Sequence, residues 1–439
     1  MSAATYPASL TQRLLWQGAY RSAEGATATP RRYSIRDLDA SALQRALTQL
    51  RTRHEALRTR LLGAGPRLVQ EVSEPSPFPV EWVDDGDGGE DADASARQAG
   101  QEVLARVWRR PAESSLLIDI DHLLTDAWSN NVLTRELAQL YAAYRAGTDT
   151  TLPPVGWQYR HFAEWQLSRL HGEGLERLQA GWQERLAGAR PAALPWPATR
   201  PPRRERTAAV QHFRGGPEAA QALAALGASA GTTASCAAVA MFFLELSLIT
   251  GQDDLSIGSI FANRATRQSW RTIGSFAHLL PLRLVLGPDL TVHQLLRRTH
   301  EMMAHALANQ ELPMSLLPAG TLRRETAVGV NSVVINILPR SIAPEAGASA
   351  PAGAGPITPA PTQLAAGVRF DLELCLFSPG GSLNGFVRYA TDRFAAGWVA
   401  EFCRFLPELI ELAAADPGVR LERITGSVPQ RVECLRSIA

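Results

Sequence analysis

Apolar residues along this chain switch repeatedly between helical spacing and the tighter spacing of strands. From Ala40 to Arg60, Leu43, Ala46, Leu47, Leu50 and Leu57 recur every three or four positions, which predicts an amphipathic helix. Ser115 to Ile120 is a short apolar run with alternation, read as a strand. Val132 to Tyr144 then puts Val132, Leu133, Leu137, Leu140, Tyr141 and Tyr144 on one helical face, with Gly147 behind them as a stop signal. Thr233 to Leu248 predicts a buried apolar helix, and Val399 to Ala414 predicts the last good helix. Leu255–Ile260, Leu280–Leu286, Ser332–Leu338 and Phe370–Phe377 predict strands. Helices and strands interleaved in this way restrict the fold to the α/β class with mixed sheets.

A chain of 439 residues is too long for one ordinary core and is expected to form two lobes. Three breaks punctuate it. Asp84 to Ala94 (DDGDGGEDADA) is acidic and Gly-rich, as a solvated loop would be. Ala343 to Gly367 consists mostly of Ala, Pro and Gly and predicts a mobile loop or flap. Pro191 to Arg204 (PAALPWPATRPPRR) predicts a linker, which places an N-terminal lobe at 1–190 and a C-terminal lobe at 191–439.

Charge narrows the classes of partner. Lys and Arg number 44 against 43 Asp and Glu, so no strong field favours nucleic acid or an anionic membrane. The start, MSAATYPASLTQRLLWQ, lacks a basic segment followed by an apolar run, and no secretory signal is expected. The apolar stretch Cys236–Ile249 is interrupted by Glu245 and is short for a membrane span. Cys236, Cys375, Cys403 and Cys434 are scattered without CxxC pairing, which points to no zinc site and to a reducing cytoplasm. A cytoplasmic monomer is expected.

Chemistry concentrates in SLLIDIDHLLTDAWSNN, Ser115 to Asn131. A strand runs into Asp121 and His122, and Asp126 and Ser129 precede a helix. Such a junction exposes one imidazole at a strand end, and imidazole is the side chain best suited to move a proton near neutral pH. The plainer reading is that a His after a strand is a loop residue.

IDHLLTDAWS resembles the signature HHxxxDGWS of nonribosomal peptide synthetase condensation domains, with Asp121 at the first His, His122 at the second, Asp126 at the Asp and Ala127 at the Gly. Companion segments follow in the family's order. SLTQRLLW (9–16) resembles SxAQxRLW, and RHEALRTRL (53–61) resembles RHExLRTxF. YRHFAEWQ (159–166) resembles YxDFAxW, with His161 at the Asp. GQDDLSIGSIFANR (251–264) resembles TGQDDVxxGxxxANR, and IGSFAHLLPLR (273–283) resembles IGxFVNTLPLR, with His278 at the Asn. NQELPMSLL (309–317) and RFDLELCL (369–376) resemble HQDxPFExL and KFDLTLSL.

The resemblance implies an α/β fold of two chloramphenicol-acetyltransferase-like lobes arranged in a V around a central tunnel. It also implies the reaction. An acyl or peptidyl thioester arrives on the phosphopantetheine arm of a carrier protein and is joined to a small-molecule acceptor, an amine or hydroxyl, with no bound cofactor and no metal. His122 would deprotonate or orient the acceptor. Asp126 would pair with an arginine and shape the loop that aims His122; Arg283 is the first candidate partner and Arg264 the second. Trp128 and Ser129 would seat the loop on the following helix, and Ser129 could also reach substrate. Asn336, on the strand VVIN, is a candidate for substrate contact, with strand packing as the alternative. His278 could approach the tunnel. Arg53, His54 and Arg58 match a motif but sit on an amphipathic helix, where scaffolding is expected.

Two departures matter. A carboxylate at Asp121 would raise the His122 pKa if the side chains approach, but adjacent strand residues can point to opposite faces. Ala127 adds a methyl that would narrow one entrance. Asp121, Asp126 and Ser129 also spell DxxxxDxxS, the mark of heterocyclisation relatives. Two further readings stand beside that one: a non-catalytic module that recruits partner enzymes, and a coenzyme A-dependent acyltransferase.

Overall fold

The structure is a computed structural model that describes residues 3–17, 30–84, 103–195, 207–322, 330, 332–338, 355–360, 370–377 and 381–437. It divides into two compact units. The first takes residues 1–171, 262–277 and 344–365; the second takes 172–261, 278–343 and 366–439. The division therefore differs from a single cut at 190. The described part of the 191–204 break lies inside the second unit, where Pro191 bridges Ser256 and Ala192 and Leu194 are buried.

In the first unit β1 (Ala4–Pro7) and α1 (Leu10–Gln17) are followed by β2 (Arg31–Arg36) and α2 (Ala40–Arg53). Asp39 caps α2 by accepting from the Ala42 N–H, an arrangement that satisfies an otherwise orphaned donor. The helix ends at Arg53, not at Arg60. His54 is extended there, because its ring and the Arg53 guanidinium both turn to Glu136, each at 2.8 Å. A 3-10 turn, Glu55–Arg58, leads into β3 (Thr59–Leu62), which pairs with β4 (Val69–Val72).

The strands β5 (Val80–Val83), β6 (Val103–Trp108) and β7 (Glu113–Ile120) precede α3 (Ala127–Arg145) and α4 (Tyr159–Arg169). In the main sheet of this unit β7 lies between β2 and β6, antiparallel to both. Its alternate residues Leu116, Ile118 and Ile120 pack with Leu43, Leu47 and Leu50 of α2 and Leu133, Leu137 and Tyr141 of α3. That period-two burial against two helices sets the strand's face and its exit direction.

The second unit begins with α5 (Gly172–Leu186), β8 (Ala208–Gly215), α6 (Gly216–Ser229) and α7 (Ala234–Thr250). Thr233 caps α7, and Gly251 ends it with φ +71°, a left-handed conformation that favours glycine. Next come β9 (Asp254–Phe261), β10 (His278–Val285), α8 (Val292–Ala308) and β11 (Val333–Leu338). The short strand β12 (Ile357–Ala360) belongs to the first unit and pairs antiparallel with β2. It lies within the Ala/Pro/Gly-rich segment read as a mobile loop or flap. Ile357 of that segment packs in the core at 4% exposed, and Pro359 sits on a sheet edge, where a missing N–H is tolerated. The other residues of 343–367, apart from 355 and 356, lie outside the described residues, as do 85–94 of the acidic segment.

Then β13 (Leu372–Phe377) and β14 (Leu383–Ala390) complete a six-stranded sheet in the order β10-β9-β11-β13-β14-β8. In it β11 runs parallel to both neighbours and the other pairs are antiparallel, so the sheet is mixed. The helix predicted from Val399 extends over Ala396–Ala415 (α9), and two more follow it, α10 (Leu421–Ser427) and α11 (Pro429–Ser437). Their few apolar residues carry too short a pattern to read alone. Among the described residues no single helix is long and apolar enough to cross a membrane.

Candidate functional site

Strand β7 ends at Ile120 and the chain turns at once. The Leu124 N–H donates to the Asp121 carbonyl at 2.8 Å, closing a turn with His122 at its first central position. Asp121 supports the same turn with its side chain, since Oδ1 accepts from the Leu123 N–H at 2.8 Å. This is the local hydrogen bond that Asp favours at a turn. Leu123 and Leu124 are buried in apolar clusters, whereas His122 is half-buried with Nδ1 shut off from solvent. The turn thus sends its aliphatic side chains inward and leaves the imidazole partly accessible.

Asp126, four residues on, is at the centre of a buried network. Its Oδ1 accepts from the Ser129 N–H at 2.7 Å and caps α3. Arg264 donates to both carboxylate oxygens, at 3.1 and 3.3 Å, and Oδ2 also accepts from the backbone N–H groups of Phe276 and Ala277 at 3.0 and 3.2 Å. The pair's side chains are 2% and 1% exposed. Burial lowers the Arg264 pKa, and Asp126 opposes that shift; arginine stays charged regardless. Arg264 further donates to Ser129 Oγ at 2.7 Å, to the Thr272 carbonyl at 2.8 Å and to the Ser269 carbonyl. Its guanidinium lies 4.0 Å from the Phe276 ring centroid.

The partner of Asp126 is therefore the second candidate, Arg264, and Arg283 is corrected. Arg283 on β10 stands opposite Ser256 of β9, which makes Asp254 its diagonal neighbour on the same face. It binds Asp254 through two bonds of 2.7 and 2.8 Å, and these raise its pKa. Both arginines follow strand-like sequence, and spacing alone does not separate them.

Ser129 is a structural hub: its hydroxyl donates to the Gly274 carbonyl at 2.8 Å and accepts from the Gly274 N–H at 3.0 Å. Trp128 anchors the first turn of α3 by donating from Nε1 to the Trp270 carbonyl at 2.9 Å. Ala127 is the first residue of α3 and is half-buried. The segment 272–277, most of it within the motif IGSFAHLLPLR, holds Asp126, Ser129 and Tyr159 through backbone groups. At Gly274 a Cβ would stand 1.9 Å from the Tyr159 ring.

The remaining candidates fall elsewhere. Arg53 and His54 tie α2 to α3 through Glu136, which is the scaffolding expected of that motif. His161 caps α4, its Nδ1 accepting from the Gln158 N–H at 3.1 Å. In the second unit, Asn336 is a half-buried residue in β11, opposite Cys375 of β13. His278 opens β10 and is buried; desolvation pushes its pKa down to about 4, opposed weakly by the Gln310 backbone. It is neutral at physiological pH and, with its pKa held that low by burial, a weak base. Among the described residues no group of three or more His, Cys, Asp or Glu could hold a metal ion.

With this geometry in place, similarity to known proteins becomes informative. A family model described as Condensation domain matches residues 3–430. The chain is 30% identical over 409 residues to malpibaldin synthetase of Mortierella alpina, covering 88% of this chain and 7% of that protein. It thus spans a small fraction of that relative's length. Among solved structures it is similar to the first condensation domain of the calcium-dependent antibiotic synthetase in complex with a substrate analogue. That match has a TM-score of 0.76 and 17% identity, covering 96% of this chain and 99% of that one. It is also similar to the X-domain in the complex of the X-domain and OxyB from teicoplanin biosynthesis, with a TM-score of 0.75 and 24% identity over 96% of each chain. At these identities the two structures speak to fold, a mixed α/β fold of the chloramphenicol-acetyltransferase type.

Proposed function

Because this chain belongs to the condensation-domain family of nonribosomal peptide synthetases, we propose that it joins an acyl or peptidyl group, delivered as a thioester on the phosphopantetheine arm of a carrier protein, to an amine or hydroxyl acceptor. The observation that carries this reading is the His122 turn, pinned by Asp121 on one side and followed by the buried Asp126–Arg264–Ser129 network. Asp126 acts there as a positioning group: its lone pairs are taken by Arg264 and three backbone N–H groups. That leaves His122 as the group that meets the reactants.

The acceptor nitrogen or oxygen attacks the thioester carbonyl carbon while its proton passes to the His122 imidazole. The C–S bond then breaks, the new amide or ester remains, and the proton leaves with the pantetheine thiol. General base assistance is worth roughly 10²–10⁴-fold, and holding both reactants in line can supply about 7–11 kcal/mol. No covalent enzyme intermediate is required.

The test is mass spectrometry of carrier-bound and released products when the chain is mixed with acyl-loaded carrier proteins and amine or hydroxyl acceptors. Product in wild type and none with His122→Ala supports the reading. Equal turnover by both sinks a His-centred mechanism. Asp121 Oδ1 already serves the Leu123 N–H, which favours simple condensation over heterocyclisation; a product lighter by one further water would reverse that assignment.

A second reading, a non-catalytic module that recruits a partner enzyme, is favoured by Asp121 and Ala127 at the signature's first His and its Gly and by the likeness to an X-domain solved with OxyB. Binding of a partner enzyme with no turnover in any variant would select it.

A further inference from the structure

The His122 turn is also held from a side that α3 and Arg264 do not supply. Ser9 and Gln12 form a capping box at the start of α1: Ser9 Oγ accepts from the Gln12 N–H at 3.0 Å, and Gln12 Oε1 accepts from the Ser9 N–H at 3.0 Å. Such a box satisfies two orphaned helix donors at once. Here it also settles which way the Gln12 amide faces. With Oε1 committed to Ser9, Nε2 donates to the Leu123 carbonyl at 3.1 Å, one residue beyond His122 and 111 positions from Gln12 in sequence. Gln12 is fully buried, so water does not replace this bond, and an unmade bond there leaves a buried carbonyl unsatisfied.

The same box reaches the Asp126 network by a second arm. Ser9 Oγ lies 2.8 Å from Tyr159 Oη, and Tyr159 donates to the Ser275 carbonyl at 2.6 Å. Tyr159 has one proton, so the Ser9 hydroxyl is the donor to Tyr159. Burial pushes the Tyr159 pKa far up, which keeps that proton in place. Ser275 immediately precedes Phe276 and Ala277, whose N–H groups hold Asp126. One capping box therefore holds the His122 turn directly and the Asp126 network through Tyr159 and the Ser275–Phe276 peptide.

We propose that Gln12 is a positioning residue for His122, fixing the Leu123–Leu124 peptide of the turn that carries it and hence the direction of the imidazole. The inference rests on His122 being the group that meets the reactants. Its test has a readout on the ring itself. The ring ¹³C–¹H signals of histidine-labelled protein would be followed through a pH titration, the His122 signal being assigned by its loss in His122→Gln. In Gln12→Met the His122 signal should split or broaden and its titration midpoint move, and kcat should fall about 10- to 100-fold with KM nearly unchanged. The matched control is Gln294→Met, which breaks a capping box of the same kind at Thr291 on α8. Gln294 is exposed, so its loss should lower thermal stability less, while leaving the His122 signal and kcat in place. If Gln12→Met does not fold, Gln12→Glu keeps an acceptor for Ser9 and changes the group facing Leu123. An unchanged His122 signal and titration in the folded variant overturns the proposal. A changed signal in a chain whose wild type makes no product with any thioester supports the positioning role and rejects the condensation reading instead.

Discussion

At the scale of single residues, His122 and Asp126 separate cleanly by what removing each should do. His122 is half-buried on a turn closed by backbone bonds, so His122→Ala should lower product formation about 10²–10⁴-fold with little change in the thermal midpoint. Asp126→Ala leaves the Arg264 guanidinium buried without its carboxylate, and stability should drop by about 3–5 kcal/mol, read as a lower urea midpoint. Asp126→Asn can keep an acceptor for the Ser129 N–H that caps α3 and should retain more stability than the alanine variant. A stable but inactive Asp126→Ala protein would instead give Asp126 a direct part in the chemistry.

At the scale of elements, the loop 272–277 matters through its backbone. Its carbonyl and N–H groups bind Ser129, Tyr159 and Asp126, and Gly274 lets the Tyr159 ring lie against it. Gly274→Ala would place a methyl inside that ring's van der Waals surface, forcing Tyr159 or the loop to move. Overpacking of this kind costs about 1–3 kcal/mol. Activity and thermal midpoint should therefore fall together, and an unchanged melting curve would show that the loop gives way at no cost. The aromatic cluster behind it, Tyr159, Phe162 and Phe276 with Trp157 and Trp165, leaves little apolar slack into which the ring could move.

At the scale of the whole molecule, two buried titratable groups of the second unit bound its pH range. His278 titrates at about 4 in the fold against 6.5 outside it. Its neutral form is favoured by folding, so its contribution is complete above 6.5 and is lost as pH falls towards 4. By linkage that loss is about 3 kcal/mol. Glu245, within the apolar helix α7 and near Cys403, is held well above 4.5 by burial. Its protonated form is favoured, so its contribution is complete below 4.5 and declines as pH rises. Urea titrations at several pH values should show His278→Asn losing less stability in acid than wild type. Glu245→Gln should gain on wild type progressively as pH rises above 4.5. Parallel pH curves for wild type and both variants would mean that neither group is desolvated as described.

How much was readable in advance follows the range of the forces involved. Strand β7, helix α3, the apolar helix α7 and the Asp121-His122 junction are set by apolar period and by side chains a few positions away, and those patterns are written in consecutive residues. The His122 loop was legible for the same reason, its signature being contiguous. The partner of Asp126 was not. Arg264 and Arg283 are the same residue type in the sequence, and the choice depends on β9–β10 register giving Arg283 to Asp254, while the chain at 262–277 returns to the first unit. Nor was the end of α2 at Arg53, where a buried Glu136 82 positions away draws off His54. The strand at 357–360 is likewise invisible in an Ala/Pro/Gly-rich run, because its ladder partner is β2. Sequence by itself determined the period and the site loop; tertiary structure alone decided the pairings, because a buried hydrogen bond or ion pair gains its strength from groups that only folding brings together and shields from water.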